Sequence, residues 1–324
     1  MNASTEEVSI SPDGAAWALP GTLVLPAHTA PVPCVIFFAG SGPTDRNWLS
    51  PLLPRGTGSA ALLAEALRAR GVGSLRFDKV GSGTNMKPLD VLGLGHYVDE
   101  ARAAFEFLTA RPADCASVTL AGHSEGSLHM LSAAVALQDA DRFGGFVSMA
   151  GTSRTVLAAA IEQIRNARMK QGADPAVLDP ALAAFREAMS DPGSRAPDFA
   201  AIPEASTLWA AARDPRQARA VRELLFADPL DVAKSYRGRA LVLTAEHDLQ
   251  VPRLDADRLF AALGSPAAAK SEVAIANANH VFRLEPESPS AIDPAAAGQA
   301  YTNPARPLAG GVVDALAAFA KNAG

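Results

Sequence analysis

The pentapeptide Gly122-His123-Ser124-Glu125-Gly126 sets one hydroxyl between glycines two positions before and two after it. That spacing suits a sharp strand-to-helix reversal, because glycines there keep side chains from colliding where the backbone folds back and push the serine outward. Such a turn is expected to present Ser124 as a nucleophile. A serine hydroxyl reacts poorly at neutral pH, so it needs a base within hydrogen-bond reach and an acid to orient that base. On an elbow of this kind both follow the serine along the chain, acid before base. Asp248, in Glu246-His247-Asp248-Leu249-Gln250-Val251-Pro252, is the expected acid, with Glu246 as the alternative nearer the strand end. Of the six histidines only His280 lies beyond Asp248, in Asn277-Ala278-Asn279-His280, and it is the expected base. His123 reads as a packing or elbow-shaping residue, and His28, His96, His129 and His247 as ordinary structural or solvated rings.

Acyl transfer also builds negative charge on a carbonyl oxygen, which preorganised backbone amides must meet. One donor is expected from the amide of Glu125, directly after the nucleophile. The second is expected from Gly40-Ser41-Gly42, most simply the amide of Ser41, where glycines let the backbone approach a substrate closely.

These residues need a scaffold that brings them together, and the apolar pattern supplies one. Short β-rich runs at 19–25, 34–38, 73–77, 117–121, 146–150, 239–244 and 272–276 alternate with helical patterns at 57–70, 97–110, 127–137 and 311–321, the rhythm of a parallel sheet wrapped by helices. The rhythm breaks between 152 and 236, where helical patterns at 156–170, 180–189 and 216–226 occur without a convincing strand. That stretch reads as a helical cap inserted into one core domain made of 1–151 and 237–324. Trp209 and Phe226 within it are candidates for an apolar substrate pocket. The segment 285–307 carries five prolines, which points to an ordered surface loop with no regular helix.

Composition narrows the remaining classes. The 324 residues are 48% hydrophobic and 19% charged, an ordinary globular balance, and the net charge of −5 comes with no basic stretch to track a phosphate backbone, so nucleic acid is not an expected partner. No run approaches the roughly 18 apolar residues of a membrane span, and the polar, acidic start lacks the pattern of a secretory signal. Two cysteines, Cys34 in a strand and Cys115 in a loop, do not suggest a disulfide framework. The simplest expectation is a protein of the reducing cytoplasm.

With these elements in place the chain resembles the α/β-hydrolase superfamily, and within it bacterial esterase-like serine hydrolases bearing a G-S-G-P-x-D-R-[DN] loop, present as Gly40-Ser41-Gly42-Pro43-Thr44-Asp45-Arg46-Asn47. The R-x-D-x-x-G-x-G turn of that group stands at Arg76-Phe77-Asp78-Lys79-Val80-Gly81-Ser82-Gly83, and its D-x-Q-V-P acid motif at Asp248-Leu249-Gln250-Val251-Pro252. Ala39 stands where many members carry histidine, and Val80 where arginine is frequent; neither change removes a catalytic atom. The resemblance implies the α/β-hydrolase fold, a mostly parallel central sheet flanked by helices, and a cofactor-independent hydrolase acting on a small-molecule ester. Asp45 and Arg46 are expected to fix the oxyanion loop through charge-assisted bonds to Arg76 and Asp78 respectively.

Other readings carry less. Gly81-Ser82-Gly83 lacks the third glycine of a dinucleotide loop, since Met86 stands there. His247 between Glu246 and Asp248 looks like a metal site but has no evident third ligand. A thioesterase, lactonase, acyltransferase or peptidase would use the same triad, and a ligand receptor could keep the fold without turnover.

Overall fold

The computed structural model describes residues 1–15, 17–86 and 93–323. In chain order its elements are β1 (Ser4–Ile10), β2 (Leu19–Leu25), β3 (Val32–Phe38), α1 (Ser59–Arg68), β4 (Gly73–Phe77), α2 (Leu94–Thr109), β5 (Cys115–His123), α3 (Gly126–Leu137) and β6 (Phe143–Met149). Five helices follow, α4 (Val156–Lys170), α5 (Pro175–Ser190), α6 (Ala205–Arg213), α7 (Ala218–Phe226) and α8 (Pro229–Ala233). The chain then forms β7 (Ala240–Ala245), α9 (Arg253–Ala262), β8 (Lys270–Ile275), α10 (Pro294–Thr302) and α11 (Val312–Lys321).

The eight strands form one sheet in the order β1-β2-β4-β3-β5-β6-β7-β8. β2 pairs antiparallel with both β1 and β4, and every pair from β4 to β8 is parallel. Strand periodicity explains how it is buried: successive side chains face opposite sides. Cys34, Ile36 and Phe38 of β3 enter one core with Leu120, Phe146 and Val242 and with α2, α3 and α9. Val35 and Phe37 enter the other, with Ala121, Val147 and Leu243 and with α1 and α11. A parallel sheet buried on both faces reads as continuous apolar runs, which is why these strands are legible. Truncating a core aromatic such as Phe38 to alanine would cost about 3–5 kcal/mol. This is the α/β-hydrolase fold.

Chain contacts divide the described residues into two compact units, one of those within 1–86, 96–153 and 229–323 and a helical one of 93–95 and 154–228. The helical unit has its own core, in which Leu157 and Ile161 of α4, Leu178, Leu182 and Phe185 of α5, and Leu225 of α7 are buried together.

Four local expectations change. β1 is an added edge strand whose alternating exposure hides in an acidic sequence, Ser4-Thr5-Glu6-Glu7-Val8-Ser9-Ile10. α9 forms directly behind the loop that carries Asp248. The proline-rich segment contains a helix, α10, because Pro294 stands at its first position, where the missing amide costs nothing, and the next eight residues are free of proline. The two cysteines are joined: Cys34 and Cys115 form a disulfide with their Cα atoms 5.7 Å apart, bridging the neighbouring strands β3 and β5. Cys115 is the first residue of β5 and not part of a loop, and the pairing removes the cysteine-based reason for placing the chain in a reducing compartment. Among the described residues no helix is long and apolar enough to cross a membrane.

Candidate active site

The register of β3 against β5 ends with Phe38 beside Gly122, so the glycine-rich loop and the serine turn leave adjacent strands at the same edge of the sheet. Ser124 has φ +54°, a left-handed conformation that few residues with a side chain adopt. Its neighbours make that strain tolerable. A Cβ on Gly122 would collide with the Gly126 carbonyl, and one on Gly126 would sit 2.5 Å from the Ala39 carbonyl oxygen and 2.8 Å from that of Phe38. The Ser124 amide donates to the Met149 carbonyl at the end of β6 (2.9 Å), and α3 begins two residues later.

The loops after β7 and β8 bring in the other two residues. Asp248 Oδ2 is 2.7 Å from His280 Nδ1, with both side chains buried. The remaining oxygen, Oδ1, accepts the amides of Gln250 (2.7 Å) and Val251 (3.0 Å), so the carboxylate is held from both ends. Glu246 is exposed. His280 is steadied in turn by Asn279, whose Oδ1 accepts the amides of Val281 and Arg283. The two loops are tied together where the His247 amide donates to the Ala278 carbonyl (2.8 Å) and its ring Nδ1 to the Glu285 carbonyl (2.6 Å). His247 thus belongs to the scaffold, and among the described residues no three His, Cys, Asp or Glu side chains are grouped as a metal site.

Ser41, Ser124 and His280 line one cavity of about 270 Å³, together with Gly40, Gly42, Trp48, His123, Leu53, Gln250, Val281 and Tyr301. Trp48 and Tyr301 were not legible as site residues. Trp48 stacks on His123 with ring centroids 4.2 Å apart. Tyr301 comes from α10, inside the segment read as a loop, and its hydroxyl accepts from Gln250 Nε2 at 3.1 Å. Burial, reinforced by the Asp248 carboxylate, raises the Tyr301 pKa and keeps the phenol protonated. Trp209 and Phe226 lie in the helical unit, where Trp209 packs into its core beneath the Arg213 guanidinium and Phe226 is partly exposed beside Arg222.

The loop after β3 is braced as expected in one part and differently in another. The Arg46 amide donates to Asp78 Oδ1 and its guanidinium to Asp78 Oδ2, each at 2.9 Å. Asp45 does not pair with Arg76; its Oδ1 accepts the amides of Asn47 (2.8 Å) and Leu49 (2.9 Å), closing a local turn, while Arg76 Nε donates to Asn47 Oδ1. A short side chain that can satisfy its own backbone two residues on does so before reaching across a sheet. Beneath the loop, the fully buried Lys79 ammonium donates to the carbonyls of Gly40 (2.8 Å) and Gly42 (2.7 Å). The Glu125 side chain is also buried and lies 3.3 Å from His129 Nε2; burial opposes its charge, but His129 and Lys79 outweigh that and hold its pKa below the ordinary value.

The alpha/beta hydrolase family model matches residues 35–292. No curated protein is similar enough in sequence to count as a relative. Among solved structures, the esterase domain of a Rhodothermus marinus protein is 20% identical with TM-score 0.55, covering 100% of both chains. An esterase of Pyrococcus furiosus is 15% identical with TM-score 0.55, covering 86% of this chain and 84% of that one. Est1E of Butyrivibrio proteoclasticus, solved with ferulic acid bound, is 16% identical with TM-score 0.53, covering 85% and 91%. At these identities the structural likeness speaks for the fold. The match over most of the chain, with a sheet of this order carrying a serine turn after its fifth strand, establishes that the protein belongs to the alpha/beta hydrolase family.

Proposed function

We propose that the protein is a serine hydrolase that cleaves carboxylic esters of small or medium acyl groups through an acyl-enzyme intermediate. The observation that supports this most is the buried Asp248–His280 hydrogen bond at 2.7 Å, with the His280 ring on the same small cavity as the left-handed Ser124.

On this reading Ser124 Oγ attacks the ester carbonyl carbon as His280 Nε2 takes its proton, and the carbonyl oxygen becomes an alkoxide. Asp248 holds the Nδ1–H tautomer of His280 and stabilises the ring once it is charged. The amides of Glu125 and Ser41 receive the alkoxide, and loss of one such donor costs on the order of 3 kcal/mol of transition-state stabilisation. Collapse expels the alcohol, which takes the proton back from His280. Water, deprotonated by the same ring, then attacks the acyl-enzyme and releases the acid. A cavity of about 270 Å³ lies just below the roughly 300–1,000 Å³ of small-molecule sites, which favours compact acyl groups.

A fluorophosphonate probe tests the nucleophile. Labelling of the wild type that disappears in Ser124→Ala supports the reading, and an unlabelled, folded wild type sinks it. A panel of chromogenic esters and thioesters of increasing acyl length then ranks leaving group and chain length, with the best ester expected at four carbons or fewer.

A further inference from the structure

We propose that Lys79 is a positioning residue for the oxyanion hole: by holding the carbonyls of Gly40 and Gly42, its ammonium turns the Ser41 amide toward the oxygen that becomes negative at Ser124. The proposal rests on the hydrolase reading above and assigns to that site a residue outside the cavity.

The argument begins with the peptide plane. In a trans peptide the N–H lies opposite the preceding C=O. The Gly40 carbonyl points at Lys79 Nζ, so the N–H of the same unit, that of Ser41, points away from it. A second bond, to the Gly42 carbonyl, fixes the Gly42–Pro43 peptide two planes further along, so neither of these two planes can rotate without breaking a charge-assisted bond. Gly42 at φ +65° is the conformation that lets both carbonyls converge on one ammonium. The loop so held lies against the elbow, since a Cβ on Gly40 would sit 3.2 Å from Ser124 Cβ.

The choice of acceptors separates this role from simple charge burial. Lys79 is 2% exposed, and burying an ammonium is costly unless it is well bonded. Glu125 and Glu100 act on it electrostatically, yet Glu100 Oε1 accepts the Val80 amide (3.0 Å) and Glu125 Oε1 faces His129. The direct bonds of Lys79 go to the carbonyls of Gly40 and Gly42, the residues before and after Ser41. Donation to the Gly40 carbonyl also polarises that peptide unit and makes the Ser41 N–H a stronger donor. The cation thus favours the transition state without touching substrate.

Lys79→Met is compared with wild type in the full chain, using p-nitrophenyl butyrate as substrate, a trifluoromethyl ketone as transition-state mimic and butyrate as product inhibitor. The variant should lose about 10- to 100-fold in kcat, up to the lower limit of the roughly 10²- to 10³-fold loss for outright removal of one oxyanion donor. KM and butyrate inhibition should stay near wild type, and the ketone should weaken by the same factor as kcat. Lys79→Gln, which keeps a donor of shorter reach, should recover part of the loss. A folded Lys79→Met with unchanged kcat, or one that loses ketone and butyrate binding equally, overturns the proposal. A crystal structure of the wild type with the ketone decides it even if both variants fail to fold. The hemiketal oxygen within about 3.1 Å of the Ser41 nitrogen supports the role, and an oxygen turned from that amide while bonded to Ser124 overturns it. A wild type that neither hydrolyses esters nor bonds the ketone overturns the hydrolase reading itself.

Discussion

The ring of His123 donates from Nε2 to the backbone carbonyl of His280 at 2.9 Å, so the residue before the proposed nucleophile holds the main chain of the proposed base. Trp48 stacks against the same ring, itself in a left-handed conformation at φ +65°. Three segments far apart in sequence, the loop after β3, the end of β5 and the loop after β8, therefore meet on one imidazole.

That imidazole should stay neutral through the working pH range. Burial, and then the charge of His280, push its pKa down to about 3 from the ordinary 6.5. The unfolded chain takes up this proton near 6.5 and the folded one only near 3, so the stability from a neutral His123 is full above about 6.5 and is lost as pH falls toward 3. His123→Phe keeps a ring for Trp48 but strands the His280 carbonyl, which should cost about 1–3 kcal/mol at pH 7. Urea unfolding from pH 7 to 4 should show a shallower pH dependence in the variant than in wild type; equal slopes would remove His123 from the account.

Asp248→Asn should lower kcat by about 10⁴-fold, because an amide favours the wrong imidazole tautomer. Glu246→Gln, at an exposed position, should stay within a few-fold of wild type. Steady-state rates on one ester suffice, and the reverse ranking would transfer the acid role to Glu246.

The Arg46 guanidinium bridges two carboxylates of unequal worth. Asp78 is buried, and although burial opposes its charge, Arg46 and Thr84 hold its pKa below 3.8, so its contribution is full above that value and fades as it protonates below it. Asp78→Ala removes the buried partner of Arg46, leaving it only the exposed Glu7, and should cost about 3 kcal/mol. Glu7 has a side chain 74% exposed, so Glu7→Gln should cost about 1 kcal/mol at most. Thermal unfolding of the two variants separates these magnitudes, and comparable losses would contradict the burial argument.

The Cys34–Cys115 bond closes a loop between residues 81 apart that contains both the Gly40–Gly42 turn and Lys79. Its loss should lower stability by about 2–4 kcal/mol, mainly by freeing the unfolded chain. Both sulfurs are buried, so the native protein should resist reduction until it opens. Denaturant unfolding with and without a reductant gives the difference; matching midpoints would show the bond to be absent or without effect.

The sequence by itself determined what local rules control. Glycine spacing around Ser124 follows from a backbone that leaves no room for side chains, and the buried strands announce themselves because a sheet covered on both faces needs continuous apolar runs. The chain order of Ser124, Asp248 and His280 was readable for the same reason, since each stands just past the end of a legible strand. Only the tertiary structure decided Asp248 over Glu246 as the neighbour of His280, the joining of Cys34 to Cys115, the local turn of Asp45, the reach of His123 to the His280 carbonyl and the burial of Lys79 under Gly40 and Gly42. Apart from that turn, these relationships join residues that lie some 30 to 160 positions apart. Propensity and periodicity act over a few residues and set no distance between such groups; the parallel sheet sets it, by bringing the carboxyl ends of β3, β5, β7 and β8 to one edge.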